Sequence, residues 1–131
     1  PGTTVLWDFG YGGNYEDLQF QWAALLLTRV ISKPGPNRLC LDLGHKAVAA
    51  DKPQPRVKLL GLPDANPEVH SEEHLMVETD AAGDFAVGDC LYAVPAHICP
   101  TVALHDEAVV VRNGRAEERW KIEARSRKLT V

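Results

Sequence analysis

No stretch of this sequence approaches the ~20 consecutive apolar residues of a membrane-spanning helix. Its longest apolar run, Trp22–Leu27, has the length of a buried element instead. Basic residues are outnumbered: 14 Lys and Arg stand against 18 Asp and Glu, a net charge of -4. That balance points away from nucleic acid, whose binders carry a basic footprint. The opening Pro1-Gly2-Thr3-Thr4 has neither the basic flank nor the apolar stretch of an export signal. Cysteine is scarce and odd in number. Cys40, Cys90 and Cys99 cannot all pair within the chain, so a reducing compartment, free thiols and a cytoplasmic location are expected. Cys40 and Cys90 lie in strand-like runs and read as small buried hydrophobes. The chain also lacks an initiating methionine, which a missing upstream partner or processing would explain.

What is present suits one folded domain. A chain of 131 residues can bury a sizeable core, and 45% hydrophobic with 24% charged residues is ordinary for a globular protein. Ten Gly and nine Pro punctuate short apolar runs, the pattern of an all-β domain. Thr3–Trp7 reads as a short strand and Asp8–Asn14 as a Gly-rich loop. Gln21–Ser32 suits a helix face or a buried strand. The β-branched pair Val30-Ile31 and the stop at Pro34-Gly35-Pro36 tilt it towards strand. Arg38–Leu43 follows as its hairpin partner. Asp51–Pro67 reads as loop around an apolar island, Val57–Leu60. Strands are expected at His74–Glu78 and Cys90–Val94. Asn113-Gly114, between Val109–Arg112 and Arg115–Ile122, accepts the two positive φ angles of a type I′ hairpin turn. Short connections imply antiparallel pairing, hence a small barrel or sandwich with long loops.

Several groups could carry chemistry. Gly10-Tyr11-Gly12-Gly13 follows a strand-like run, but a dinucleotide loop needs glycine where Tyr15 stands, and no P-loop lysine follows. A flexible connector is expected. His70 and His74, with Glu72 and Glu73 between them, read as solvated residues of an extended segment. His105 and Asp106 are adjacent, so on a strand they face opposite ways. Asp42 and Lys46 are read as structural.

The sharper pair is His97 and Cys99 in Pro95-Ala96-His97-Ile98-Cys99-Pro100-Thr101. In extended chain, residues two apart project to one side, so imidazole and thiolate would converge. That donor set suits zinc. Two ligands are too few for a closed structural site, and would leave positions for water, substrate or another domain's ligand. Spacing alone fits two unrelated side chains at a strand end even better.

The His97 stretch has a longer context. Gly88-Asp89-Cys90-Leu91-Tyr92-Ala93-Val94-Pro95-Ala96-His97-Ile98-Cys99-Pro100-Thr101-Val102-Ala103-Leu104-His105-Asp106 runs on to Val110-Val111-Arg112-Asn113-Gly114-Arg115 and Trp120–Arg125. Together these segments resemble the C-terminal domain of the D-serine dehydratase / D-threonine aldolase family, among the fold type III pyridoxal-phosphate enzymes. Pro1-Gly2-Thr3, Leu41–Ala47 and Ser71-Glu72-Glu73-His74 resemble family segments in the right order.

The resemblance implies an N-terminal alanine-racemase-like barrel, absent from this chain, that carries pyridoxal phosphate on a lysine. It implies a homodimer at full length and a small D-amino acid substrate. It makes His97 and Cys99 ligands of zinc, or of another divalent metal, near the substrate hydroxyl. The cofactor would act as electron sink and the metal as Lewis acid on the β-hydroxyl, in a dehydratase or an aldolase alike. The whole chain, 1–131, is then one C-terminal β-domain of a D-3-hydroxy-amino-acid lyase, inactive alone. The rival reading is a non-catalytic binding or interaction module. The chain departs from the family pattern in places. None of Lys33, Lys46, Lys52, Lys58, Lys121 or Lys128 matches the cofactor lysine. His45 replaces a small residue, Leu75 a glycine, and Arg125-Ser126-Arg127-Lys128 the usual ending.

Overall fold

A computed structural model describes residues 2–126, 128 and 130. Its centre is one antiparallel sheet of six strands: β1 (Leu26–Gly35), β2 (Arg38–Leu41), β3 (Val57–Leu59), β4 (Asn66–His70), β5 (Leu75–Glu78) and β6 (Cys90–Pro95). Their order across the sheet is β3-β6-β1-β2-β5-β4, and the sheet curls into a half-barrel. The all-β expectation holds, with the β1–β2 hairpin where Pro34-Gly35-Pro36 places it.

Alternation builds the core. Val30 on β1, Leu39 and Leu41 on β2, Leu75 and Val77 on β5, Leu91 and Ala93 on β6, and Val57 and Leu59 on β3 all face inwards. Leu43, Val48, Leu62 and Ala82 close that face from the connections. Each large side chain here contributes roughly 1.5–3 kcal/mol by leaving water. Arg29, Ile31, Leu27, Cys90 and Tyr92 occupy the opposite face of β1 and β6. Cys90 is therefore exposed rather than buried, a correction that follows from its parity on β6. Cys40 is half-buried, and all three cysteines are free.

Two short helices sit beside the sheet, α1 (Phe9–Asn14) and α2 (Ile98–Val102). The expected Gly-rich loop is thus helical, and the expected strand Thr3–Trp7 is a 3-10 turn over Thr3–Val5. The cause is local. Trp7 N–H donates to Thr3 O at 2.6 Å, and the Asp8 carboxylate accepts from Tyr11 N–H at 2.8 Å. Those bonds replace any strand partner. β4 was also missed. It carries Pro67, and it forms because it is an edge strand with a register shift between Pro67 and Val69, where a missing N–H is tolerated.

The remaining pair, β7 (Glu107–Arg112) and β8 (Arg115–Lys121), is a separate hairpin. Asn113 and Gly114 have φ of 51° and 73°, the two left-handed angles expected of its turn. Val109, Val111 and Trp120 on it are exposed.

Candidate metal centre

The His97 segment is held by a buried carboxylate. Asp8 is 0% exposed. One of its oxygens caps α1 at Tyr11 N–H, and the other accepts from Ile98 N–H at 3.0 Å, which caps α2. Gly10 completes the fit: a Cβ there would stand 2.3 Å from Ala96 O, so α1 lies directly against the backbone before His97. The chain therefore turns into a helix at Ile98, with His97 as its N-cap residue. The expectation that strand alternation brings His97 and Cys99 together is corrected. His97 keeps extended angles, φ -143° and ψ 100°, but Cys99 already lies in the first helical turn.

Each of the two side chains has its own neighbour. His97 Nδ1 lies 2.6 Å from a carboxylate oxygen of Asp51, on the loop before β3. Cys99 Sγ lies 3.2 Å from the hydroxyl of Thr3, a buried residue of the first turn. The His97 side chain is 28% exposed and Cys99 is exposed, so neither is sealed in. The hydrogen bond from His97 holds the Asp51 carboxyl below its usual range, with burial opposing and the Lys52 charge adding a little. A carboxylate on Nδ1 places the ring proton there and leaves the Nε2 lone pair for another partner. Thr101 fixes the two loops together, since its hydroxyl donates to His97 O at 2.7 Å and accepts from Ala49 N–H at 3.1 Å. Neither Asp8 nor Asp51 was singled out in the sequence. Asp8 is a residue type that caps helices, but the Gly-rich run after it has no helical period to announce one. Asp51 lies 46 residues from its partner and carries no local signal.

This donor chemistry fits a zinc ion: one imidazole nitrogen with its far side bonded to carboxylate, and one accessible thiol two residues on. Two ligands do not make a closed shell, and no group of three or more His, Cys, Asp or Glu positioned for a metal occurs among the described residues.

The other candidates separate. His70 is half-buried rather than solvated. Its Nε2 lies 3.0 Å from Leu43 O, and its Nδ1 is buried with no partner among the described residues. His45 packs edge-on against it, ring centroids 4.5 Å apart, and receives a bond from Arg56 at 2.9 Å. Burial chiefly, with His45 and Arg56 adding, pushes the His70 pKa down to about 4. The folded state therefore resists a proton that the unfolded chain accepts near 6.5. Stability should be fully present above that value and should fall as pH drops towards 4. Because the ring is half exposed, the loss by pH 5 should be about 1 kcal/mol. Urea unfolding between pH 7.5 and 5 should show this slope, and His70→Phe should flatten it. Equal slopes in both proteins would remove His70 as the cause. His74 is exposed. Glu72 and Glu73 both pair with Lys46. His105 Nε2 meets Ala47 O, while Asp106 pairs with Arg125. Asp42 binds Arg29 and the Thr28 hydroxyl. None of these joins His97.

α1 also borders an apolar surface. Trp7, Phe9, Tyr15, Phe20 and Trp22 line an open cleft of about 600 Å³, with the Lys58 ammonium 5.3 Å above the Trp22 ring. Beside it Phe20, Trp22, Leu25 and Leu60 form a second groove. Leu27 and Tyr92, opposite each other on β1 and β6, carry exposed apolar surface onto the sheet. Such a continuous patch is unusual for a free surface.

Comparison with known proteins gives this site a context. The family described as "Putative serine dehydratase domain" matches residues 23–111. A D-threonine aldolase of Arthrobacter sp is 36% identical over 127 residues, covering 95% of this chain and 33% of that protein. A 3-hydroxy-D-aspartate aldolase of Paracoccus denitrificans is 39% identical over 116 residues, 88% of this chain and 29% of the aldolase. The chain thus spans about a third of the length of these relatives. It also matches an uncharacterized protein of Mycobacterium tuberculosis, 33% identical over 115 residues. There the match covers 85% of this chain and 86% of the relative. Among solved structures, D-threonine aldolase from Filomicrobium marinum superposes with a TM-score of 0.86 at 26% identity, over 95% of this chain and 34% of the aldolase. D-threo-3-hydroxyaspartate dehydratase shares the fold at 19% identity. A histidine-to-alanine variant gives a TM-score of 0.73 over 89% of this chain and 35% of its own. A cysteine-to-alanine variant, altered two positions along and in the metal-free form, gives 0.64 over 76% and 32%.

Proposed function

Because the chain belongs to the serine dehydratase domain family, we propose that it forms one wall of the active site of a pyridoxal-phosphate- and metal-dependent lyase for D-3-hydroxy amino acids. His97, through Nε2, and Cys99, through Sγ, would hold the metal. The remaining ligands, the cofactor and its lysine would come from a barrel domain outside this chain. Bound there, the metal supplies Lewis acidity to the substrate β-hydroxyl. The chain's own residues do the holding: Asp51 keeps the proton on Nδ1, Asp8 fixes the backbone at Ile98, and Thr101 ties both loops.

The observation that carries this reading is the Asp51–His97 hydrogen bond. It commits one ring nitrogen and leaves the other available, with an exposed thiol two residues along the chain. Three further points support it. The aldolase relatives act on D-threonine and 3-hydroxy-D-aspartate by name, and both are D-3-hydroxy amino acids. The dehydratase's two altered positions have the His97–Cys99 spacing, and one variant is metal-free. The apolar cleft and the Leu27–Tyr92 surface offer a bearing face for the barrel.

Calorimetric titration with Zn2+ should reveal one weak site that His97→Ala or Cys99→Ser removes. The doubly altered Cys40→Ser, Cys90→Ser chain should keep it. Equal uptake by the parent chain and the His97→Ala variant would defeat the assignment.

One observation favours a second reading. The mycobacterial relative consists mostly of this domain, so the fold also exists without a fused barrel of the aldolases' length. A binding or interaction module on this fold would need no metal. Absence of specific zinc uptake would favour it.

A further inference from the structure

We infer that Asp51 and Thr3 form the outer shell of this metal centre, Asp51 positioning His97 and Thr3 positioning Cys99; the inference rests on the metal reading above. The two residues arrive from separate parts of the chain. Asp51 stands on the loop before β3, 2.6 Å from Nδ1 of His97. Thr3 stands on the first 3-10 turn, 3.2 Å from Sγ of Cys99. Their chemistry is complementary to the two ligands. A carboxylate accepts the Nδ1 proton and orients the ring, with Nε2 as the open donor. A hydroxyl can donate to a sulfur, and a thiolate, the form that binds metal, is the better acceptor of that bond.

Both positioning residues are themselves anchored. Arg56 Nε donates to Lys52 O at 2.7 Å, next to Asp51, and Arg56 N–H donates to the Gln54 side chain at 3.0 Å. Arg56 O accepts from Ala96 N–H at 2.8 Å, which ties this loop directly to the segment before His97. Thr101 closes the other side through Ala49 N–H and His97 O. Thr3 is 6% exposed, and its carbonyl accepts from Trp7 N–H. A loop pinned at both ends presents the Asp51 carboxylate at a fixed place, which is what an orienting partner requires. Asp51 itself is exposed and has no buried structural duty, so its removal separates positioning from folding.

The test is zinc titration of the full 131-residue chain, with an imidazole 15N spectrum of the metal-free protein as a second readout. Asp51→Ala should weaken zinc about 10–100-fold, and Asp51→Asn less. In the metal-free spectrum His97 should carry its proton on Nδ1 in the parent chain, and should shift towards Nε2 in Asp51→Ala. Thr3→Val should weaken zinc, while Thr3→Ser, which keeps the hydroxyl, should restore it. Unchanged affinity and an unchanged tautomer in Asp51→Ala, with His97→Ala still abolishing uptake, would overturn the outer shell and leave the metal reading standing. No specific uptake by the parent chain would sink the metal reading, and the outer shell with it.

Discussion

Replacing Asp8 with alanine should lower the stability of the chain by about 3 kcal/mol. The carboxylate is fully buried, and its two oxygens each accept a backbone N–H, from Tyr11 and from Ile98. Loss of an N-cap acceptor typically costs about 1 kcal/mol, and a donor left unpaired away from water costs about 1–3 kcal/mol. One opposing effect exists, since removing a buried charge relieves its desolvation. Here it is the smaller, because the alanine leaves two orphaned donors and a void where one side chain served both helices. For a chain of this size the loss corresponds to a fall in Tm of roughly 10 °C. Asp8→Asn should cost about half, as the amide keeps one good acceptor and turns its NH2 towards a backbone donor. Thermal melts of the three proteins check the order. A melting temperature of Asp8→Ala within 2 °C of the parent would show that the caps contribute little. Because Ile98 follows His97 directly, the same variant should also weaken zinc uptake, with no ligand touched.

The residues around Asp8 show where the sequence was legible and where it was not. The β7–β8 hairpin could be read because Asn113-Gly114 encodes its turn within two residues. β2, β5 and β6 could be read from short runs between turn residues, and β1 from its β-branched pair Val30-Ile31 and the stop at Pro34-Gly35-Pro36, although its strand begins only at Leu26. α1 could not, because glycine-rich sequence has poor helix propensity. Its six residues are helical through the Asp8 cap and the close seat of Gly10 on Ala96, which no local pattern announces. β4 was hidden by Pro67, harmless only because the strand is an edge. At the candidate centre the sequence offers residue types without their geometry. The spacing of His97 and Cys99 suggests an imidazole–thiolate pair on a strand, but the capping bond from a residue 90 positions away makes the segment after His97 a helix. The partner of each side chain, Asp51 or Thr3, is a tertiary fact.

The second large effect is expected at Gly44, in the connection after β2. A Cβ built there would stand 2.2 Å from Glu72 O and 2.4 Å from the carbonyl carbons of Glu72 and Glu73. The obstacle is backbone, so no side chain can swing aside. Around it His45 N–H donates to Ser71 O at 2.9 Å and Lys46 N–H to Glu72 O at 3.1 Å, and these bonds hold the two loops at contact distance. Two effects of Gly44→Ala oppose each other. A less flexible unfolded chain would stabilise the fold by about 0.4–1 kcal/mol. The collision must part the loops, straining or breaking those hydrogen bonds, at about 3 kcal/mol or somewhat more. The collision wins, for a net loss of about 2–3 kcal/mol. Gly83 gives the matched contrast, since a Cβ there meets nothing within 4 Å and its backbone is not in the left-handed region. Gly83→Ala should therefore leave stability unchanged or raise it by up to about 1 kcal/mol. Urea denaturation of the two variants side by side gives the answer. A Gly44→Ala chain as stable as Gly83→Ala would mean that the loops of residues 44–46 and 71–73 yield freely, and that the backbone contact between them contributes little to stability.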